Sequence, residues 1–291
     1  MTSGFCPPSS DFRLLLMIAF PNAKINIGLN ITSKRADGYH NLSSCFLPID
    51  WKDALEIVPA DQFEFTSSGL DIPGERSGNL CVKAYELLKE KHDIPPVKMH
   101  LHKVIPMGAG LGGGSSDGAF ALKLLNDQFE IGLSNAQLEA YAKTLGADCP
   151  FFIDNKPKLV TGMGEVMEDL NIDLSGYSIV VVVPGIHVNT KAAFGGINPK
   201  APDYNLKATL QQLPKNWQGT VTNDFEQTVF AAHPEIQAIK EKLLELGADY
   251  ASMTGTGSAV FGVFEKGLGL REVRSEFSSY IFWLNIEVMA F

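Results

Sequence analysis

Apolar residues recur along this chain with two periods, one typical of strands and one typical of helices. Short alternating or apolar runs predict strands over residues 23–32, 55–58, 97–104, 178–183, 250–253 and 259–264. Apolar stripes at helical spacing predict helices over residues 79–92, 116–128, 134–145, 224–246 and 270–278. Because strands and helices are grouped rather than strictly alternating, we expect an α+β fold in two layers.

A glycine-rich segment, residues 106–117, lies between a predicted strand and a predicted helix. Glycine lets the backbone adopt positive φ and approach an anion closely. The N-terminus of the helix that follows adds free N–H groups and a positive dipole end. The segment therefore predicts a phosphate-binding loop, with residues 115–117 (Ser-Ser-Asp) as the expected helix cap.

Two better-known phosphate motifs fit this segment poorly. Residues 108–113 match Gly-x-Gly-x-x-Gly, and Glu130 lies near the acidic position expected about 20 residues further on. Glu130, however, follows a helix tail instead of a second parallel strand. The Walker A motif fails because no Gly-Lys-Ser/Thr ends the loop. The glycine pattern alone would also be compatible with a nicotinamide-dependent oxidoreductase. Absorbance titration with a reduced nicotinamide cofactor would test this alternative.

The first predicted strand alternates sharply between apolar and polar positions. Its apolar face holds Ile25, Ile27, Leu29 and Ile31, and its polar face holds Lys24, Asn26, Gly28 and Asn30. A half-buried strand with a solvated back face would give the same alternation. Asn is depleted in strands and Gly weakens them, so we interpret the polar face as a surface that a ligand approaches.

Three further segments carry candidate chemistry. Residues 37–40 (Asp-Gly-Tyr-His) predict a turn that presents an aromatic ring and an imidazole, although a plain hairpin would look the same. Asp148 is flanked by Ala, Cys, Pro and two Phe, so it is either a capping residue or a carboxylate that needs a partner such as Lys24. Residues 252–258 form a second Gly/Ser/Thr loop, which taken by itself predicts a tight hairpin.

In this order, the segments resemble the motifs of the GHMP kinase superfamily. Pro-x-x-x-Gly-Leu-Gly-Gly-Gly-Ser-Ser is similar to its ATP-binding motif. Asp-Gly-Tyr-His and Gly-Ala-Asp-x-Pro-Phe-Phe, with residues 223–226 (Asn-Asp-Phe-Glu), resemble the members that act on 4-diphosphocytidyl-2-C-methyl-D-erythritol. The resemblance spans residues 17 to about 265. It implies a two-domain fold with the active site in the inter-domain cleft. It also implies γ-phosphoryl transfer from ATP to the substrate's 2-hydroxyl, a step of the non-mevalonate route to isoprenoid precursors.

The resemblance implies a role for each matched residue. Asp148 would accept the hydroxyl proton, and Lys24 would hold that hydroxyl and Asp148 in place. ATP, with Mg²⁺ bridging its phosphate oxygens, would contact Pro106, Gly108, Gly110, Leu111, Gly112, Gly113, Gly114, Ser115 and Ser116. The substrate would contact Asn26, Tyr39, His40, Phe46, Thr190 and Phe194. Within that set, Tyr39 and Phe194 would sandwich the base while His40 reads its edge; no protein side chain is assigned as a metal ligand.

Composition narrows the class of protein. The net charge of −9 argues against nucleic-acid or anionic-membrane partners, so an anionic substrate must be attracted locally, by Lys24, the loop amides, Mg²⁺ and Lys103. Four scattered cysteines without a Cys-x-x-Cys pattern favour reduced thiols and a cytoplasmic protein. No run is long and apolar enough to predict a membrane span. We expect a monomer or a homodimer.

The predicted organisation has three parts. Residues 1–16 are expected to be a disordered extension, 17–168 an ATP-binding and catalytic domain, and 169–291 a C-terminal GHMP kinase domain. The Pro-, Lys- and Asn-rich run 198–218 is expected to be a loop or lid. Two alternatives remain: another kinase of the superfamily, acting on homoserine or a mevalonate derivative, and a non-catalytic nucleotide-binding protein on the same fold.

Overall fold

The computed structural model describes residues 17–267 and 270–285. Its strands are β1 (Met17–Ala19), β2 (Asn22–Lys34), β3 (His40–Lys52), β4 (Ala54–Pro59), β5 (Glu64–Gly69), β6 (Val97–Lys103), β7 (Lys158–Gly162), β8 (Val166–Asp169), β9 (Tyr177–Val183), β10 (Tyr250–Met253), β11 (Val260–Glu265) and β12 (Ile281–Asn285). Its α-helices are α1 (Leu80–His92), α2 (Gly113–Gln128), α3 (Asn135–Leu145), α4 (Phe151–Asp154), α5 (Thr190–Gly195), α6 (Leu206–Thr209), α7 (Phe225–Ala232), α8 (Pro234–Glu245) and α9 (Leu270–Glu276). Two 3₁₀ turns lie at Arg76–Gly78 and Pro214–Asn216.

The described strands form three four-stranded sheets, in the orders β1-β4-β6-β5, β2-β3-β7-β8 and β10-β11-β9-β12. Pairing is antiparallel except between β5 and β6, which run parallel. The first sheet shares a core with α1, α2 and α3. The second sheet packs on β9 and β11 of the third, whose other face is covered by α7 and α8. This arrangement of sheets and helices is the α+β class that the sequence predicted.

Strand β2 is buried on both faces, so the prediction of one continuous apolar face is wrong. Ile25 and Ile27 belong to one core, whereas Leu29 and Ile31 belong to another. The pairing of β2 with β3 shifts register between Ile27 and Leu29, and Gly28 lies at this bulge with φ +67°. Because side chains alternate with period two, one extra residue moves every later side chain to the opposite face.

Helix ends follow the sequence closely where a capping residue marks them. α3 begins after Ser134, which forms the capping box with Gln137 that the sequence predicted. The single helix predicted over 224–246 is wrong, because α7 ends before His233 and α8 begins at Pro234. Proline lacks the N–H that a continuous helix would need there, and it is favoured at a first helical position.

The predicted loop or lid over 198–218 is firmly attached to β2. Tyr204 donates its hydroxyl hydrogen to Asn30 Oδ1 at 2.7 Å, and the Lys200 amide donates to the Ile31 carbonyl at 2.9 Å. Trp217 is 1% exposed within the core beneath β2. Because these contacts anchor the segment along its length, it forms part of the wall behind β2.

Several predictions concern residues beyond this description. The extension over 1–16, including Cys6, lies outside the described residues, and the division at 168/169 stays a prediction. Cys45, Cys81 and Cys149 are free and buried. No helix in the described ranges combines the length and hydropathy that crossing a bilayer requires.

Candidate active site

The glycine-rich segment forms a tight loop between β6 and α2. Gly108, Gly110 and Gly112 have φ values of +70°, +82° and +70°, a region that other residues enter only with strain. A Cβ on Gly110 would lie 2.1 Å from the Thr254 carbonyl oxygen, so only glycine permits this contact. Thr254 also donates its hydroxyl hydrogen to the Gly110 carbonyl at 3.1 Å. The second Gly/Ser/Thr loop therefore packs directly on the first.

Helix α2 begins earlier than the sequence predicted. It starts at Gly113 with Gly112 as its N-cap, so residues 115–117 lie inside the first turns, and their prediction as the cap is wrong. A long helix leaves its first backbone amides without intrahelical partners. The loop therefore places these free backbone amides at its open side.

The loop opens into a cavity of about 420 Å³. Its lining includes eight of the nine residues predicted to contact ATP, together with residues 72–75 and 78–80 before and at the start of α1. Ser116 is the exception: its side chain is fully buried, and its Oγ has no hydrogen-bond partner among the described residues. Ser116 contact with ATP stays a prediction, and the geometry favours the loop backbone and Ser115.

Lys24 is the centre of a compact group beside this loop. Its Nζ donates to Asn26 Oδ1 at 2.6 Å, lies 3.5 Å from an Asp148 carboxylate oxygen and sits 4.4 Å from the centroid of the Phe46 ring. The Lys24 amide donates to the Leu111 carbonyl at 2.9 Å. The ammonium is therefore fixed relative to both the loop and the carboxylate.

Asn26 and Phe46, predicted as substrate contacts, lie beneath Lys24 and are 2% and 4% exposed. The Asn26 side chain donates from Nδ2 to Ser44 Oγ at 2.9 Å, and the Asn26 backbone amide donates to Thr254 Oγ1 at 2.9 Å. Phe46 belongs to a core cluster. In this structure both side chains support Lys24, and their direct contact with substrate stays a prediction.

Asp148 is more accessible than its apolar sequence neighbours suggested. Its side chain is 33% exposed, whereas Cys149, Phe151 and Phe152 turn inward and are fully buried. Burial raises the pKa of the Cys149 thiol to about 11, which leaves that neighbour uncharged. The Asp148 side chain is thus open to the surface on one side and faces Lys24 on the other.

The predicted aromatic residues form a second, more exposed group. Tyr39 is 66% exposed in the turn between β2 and β3. His40 stacks on Phe194 with centroids 5.3 Å apart and planes at 24°, and Phe194 packs edge-on against Phe225. The ring stacked on Phe194 is thus that of His40, the residue predicted to read the base edge.

The second Gly/Ser/Thr loop connects the two groups. Thr190, at the start of α5, lies 3.5 Å from Thr256 between hydroxyl oxygens. Thr256 is two residues from Thr254, which bonds to both Asn26 and Gly110. One short loop therefore links the phosphate loop, the Lys24 group and the helix that carries Phe194.

A buried group that the sequence reading missed lies beneath the phosphate loop. Lys103 Nζ donates to Asp53 Oδ2 at 2.5 Å and to Asp117 Oδ2 at 2.7 Å. The expectation that Lys103 helps to attract an anionic substrate is therefore wrong, since its side chain is buried and paired with two carboxylates. The alternation of β6 could have revealed this burial, because it puts Lys103 on the same face as the inward-facing Val97, Met99 and Leu101.

Comparison with known proteins agrees with this arrangement. Residues 79–156 match the model of the GHMP kinases N terminal domain, and residues 205–281 match that of the GHMP kinases C terminal domain. A mevalonate kinase of Methanococcus jannaschii superposes with a TM-score of 0.70 at 13% identity, covering 96% of this chain and 100% of that one, which shows the shared fold.

More similar relatives carry a more specific name. The chain is 51% identical over 249 residues to 4-diphosphocytidyl-2-C-methyl-D-erythritol kinase of Cytophaga hutchinsonii, covering 85% of this chain and 92% of that protein. It is 48% identical over 267 residues to the protein of that name from Parabacteroides distasonis, covering 92% and 98%. A crystal structure of 4-(cytidine 5'-diphospho)-2C-methyl-D-erythritol kinase superposes with a TM-score of 0.80 at 30% identity, covering 92% and 98%. The chain is a small-molecule kinase and belongs to the 4-diphosphocytidyl-2-C-methyl-D-erythritol kinase family of the GHMP kinases.

Proposed function

We propose that this protein transfers the γ-phosphoryl group of ATP to the 2-hydroxyl of 4-diphosphocytidyl-2-C-methyl-D-erythritol. The observation that carries the proposal is the Lys24–Asp148 pair, held beside the phosphate loop by the bond from the Lys24 amide to the Leu111 carbonyl. A positioned carboxylate, a fixed cation and a phosphate cradle are the parts that phosphoryl transfer needs. The names of the relatives support the choice of acceptor.

In this proposal Asp148 accepts the proton of the acceptor hydroxyl as that oxygen attacks the γ-phosphorus. Lys24 stands close enough to keep the carboxylate oriented and to stabilise charge that develops on the transferring group. Asn26 and Phe46 fix the ammonium from below. The pair thus acts on the reacting oxygen, while the loop amides hold the rest of the triphosphate.

Mg²⁺ is proposed to enter with ATP, held mainly by phosphate oxygens and water, as is usual for this ion in kinases. It would neutralise charge on the triphosphate. In the described part of the chain, no three histidine, cysteine or carboxylate side chains cluster in a way that could hold a metal. The backbone amides of the loop would hold the phosphate groups that carry the ion.

The cytidine end is proposed to bind at the aromatic group, with its base between Tyr39 and Phe194. In this structure the ring of His40 occupies the face of Phe194, so the base would take that face as the His40 ring turns aside to meet the base edge. Thr190, bonded toward Thr256, would contact the same end of the substrate. An acceptor without a base, such as homoserine, could not use these rings.

The test is ADP release in a coupled assay with MgATP and one acceptor at a time: the cytidyl compound, homoserine or phosphomevalonate. We expect turnover with the cytidyl compound alone. Turnover with another acceptor would keep the kinase activity and overturn the proposed roles of Tyr39, His40 and Phe194. ATP binding without turnover on any acceptor would favour the non-catalytic alternative.

A further inference from the structure

Asp53, Lys103 and Asp117 form an isolated charged group in the interior, here called the buried triad. Their side chains are 0%, 0% and 4% exposed, and the single ammonium bonds to both carboxylates. Charges so far from water persist only when they are paired and hydrogen-bonded. One lysine facing two carboxylates leaves one excess negative charge when all three are ionised, directly beneath a loop proposed to hold a polyanion.

The buried triad is bonded to both ends of the phosphate loop. Asp53 Oδ1 accepts hydrogen bonds from the amides of Val104 and Ile105, at 2.6 and 2.8 Å, where the chain enters the loop. Asp117 lies in the second turn of α2, where the chain leaves it. A Cβ on Gly113 would lie 3.0 Å from Lys103 Nζ, so the helix start rests on the ammonium. Displacing any member would shift the loop.

Asp117 also has an unused oxygen. Its Oδ1 is buried and has no hydrogen-bond partner among the described residues, and Asp117 lines the cavity into which the loop opens. Burial raises the pKa of this carboxyl to about 7, with Lys103 opposing the rise and Asp53 adding to it. A carboxyl with a raised pKa accepts a proton more readily than an exposed aspartate does, and the free oxygen offers a place for that proton.

Besides Asp53, two titratable groups face Asp117, and both keep a fixed charge near neutral pH. Burial lowers the pKa of Lys103, but the nearby carboxylates of Asp117 and Asp53 raise it more. The pKa therefore lies above its ordinary value, and the ammonium stays charged. Cys81 of α1 is also near, and burial raises the pKa of its thiol well above the usual value, so it stays neutral. Within the buried triad, Asp117 is the carboxyl whose pKa is raised by burial.

We propose that Asp53, Lys103 and Asp117 are positioning residues that fix the shape of the phosphate loop, and that nucleotide binding there draws a proton onto Asp117 Oδ1. The inference rests on the proposed nucleotide role of the loop. Phosphate charge disfavours the ionised carboxyl, while Oδ2 continues to accept from Lys103. With Asp117 neutral, Lys103 and Asp53 balance one another and the excess negative charge is gone.

The sign of the pH effect follows directly. A bound anion raises the carboxyl's affinity for a proton, so the complex binds more protons than the free enzyme from about neutral pH upward. Nucleotide affinity therefore falls as pH rises through this window. Asp117→Asn keeps a side-chain oxygen that can accept a hydrogen bond from Lys103, but it cannot take up a proton. This variant therefore distinguishes the effect of protonation from the effect of loop positioning.

The experiment is calorimetric titration of the full chain with MgADP at pH 7.5, in two buffers of different ionisation enthalpy, to count protons taken up. Wild type, Asp117→Asn and Glu64→Gln are compared; the last removes one carboxylate from an exposed pair with Lys98 on the same sheet. We expect the wild type and Glu64→Gln to take up a fraction of a proton more than Asp117→Asn. Between pH 6.5 and 8.5, the MgADP Kd should weaken about three- to tenfold more in wild type than in Asp117→Asn.

Positioning is tested separately by Asp117→Leu, which removes the bond to Lys103. We expect its KM for ATP to rise at least several-fold with the acceptor KM unchanged, and Asp117→Asn to restore most of the loss. An unchanged ATP KM in Asp117→Leu would overturn the positioning role. If this variant fails to fold, the proton count in Asp117→Asn still decides the coupling.

Equal proton uptake in wild type and Asp117→Asn would overturn the coupling to Asp117. MgADP binding needs no acceptor, so its result is independent of which acceptor is phosphorylated. Failure of turnover on the cytidyl compound, with the proton difference intact, would overturn the proposed acceptor and support the buried triad. Absence of MgADP binding by wild type would overturn both proposals together.

Discussion

The Lys24 group and the aromatic group differ in how completely the protein itself satisfies their side chains. Around Lys24, the ammonium, the Asn26 amide and the Phe46 ring are buried and bonded to one another. At the aromatic group, Tyr39 is 66% exposed, and His40 and Phe194 contact each other through their rings. The geometry of the Lys24 group is therefore set before substrate binds. The aromatic group leaves ring surface exposed, which a bound substrate would cover.

This difference assigns different kinetic roles to the two regions. Preorganised charge lowers the barrier of the chemical step, because no energy is spent on reorganisation during reaction. Exposed rings contribute through contact with a bound base, which affects substrate binding. Changes near Lys24 should therefore lower kcat, whereas changes at the aromatic group should raise the KM of the acceptor.

After Asp148 itself, the largest effect is expected from Lys24→Met, which keeps the length of the side chain and removes its charge. Asn26 and Asp148 would lose the ammonium that joins them, while the bond from the backbone amide of residue 24 to the Leu111 carbonyl would remain. We expect kcat to fall roughly 10²–10³-fold, the usual cost of removing one preorganised electrostatic contact. Steady-state kinetics with saturating MgATP and acceptor measure this; a kcat within threefold of wild type would contradict the role.

A smaller effect on a different parameter is expected from Tyr39→Ala. Losing one stacked ring costs about 1–3 kcal/mol, which corresponds to a rise of roughly 5- to 150-fold in the acceptor KM, with the ATP KM unchanged. Tyr280→Ala is a matched control, since Tyr280 is also exposed and contacts only Phe277 among the ring pairs described. Equal changes in both KM values would refute the stacking role.

The smallest effect is expected from Phe46→Leu, which keeps an apolar side chain beneath Lys24 but removes the ring face. A partly desolvated cation–π contact is worth about 0.5–2 kcal/mol, so kcat should fall about 2- to 30-fold. Phe151→Leu is the matched control, because Phe151 is equally buried and packs edge-on against Phe46. If both variants lose kcat equally, core packing and not the ring beneath Lys24 explains the loss.

Local signals in the sequence predicted much of the fold. Ser134 and Gln137 marked the start of α3, and β10 spans the residues predicted for it. The predictions failed where one residue changed the pattern: Gly28 inserts a bulge that exchanges the faces of β2, and Pro234 divides one helix into two. A bulge leaves composition unchanged, so only strand pairing, a long-range property, reveals it.

The candidate site was predictable to a similar degree. Motifs identified Lys24 and Asp148, and the structure brings them within 3.5 Å of each other. The buried triad was missed because its members are far apart in the sequence, and each charged residue alone is typical of a surface. A lysine at an inward position of an alternating strand was the available signal, since a buried lysine requires carboxylate partners.

A comparison of binding and turnover in Asp148→Asn tests whether the Lys24 group performs the chemistry apart from substrate binding. The amide keeps the shape of the carboxyl but cannot accept the hydroxyl proton. We expect wild-type Kd values for MgATP and for the cytidyl acceptor, with turnover lowered roughly 10²–10⁴-fold. Near-normal turnover, or a loss explained entirely by weaker binding, would contradict it.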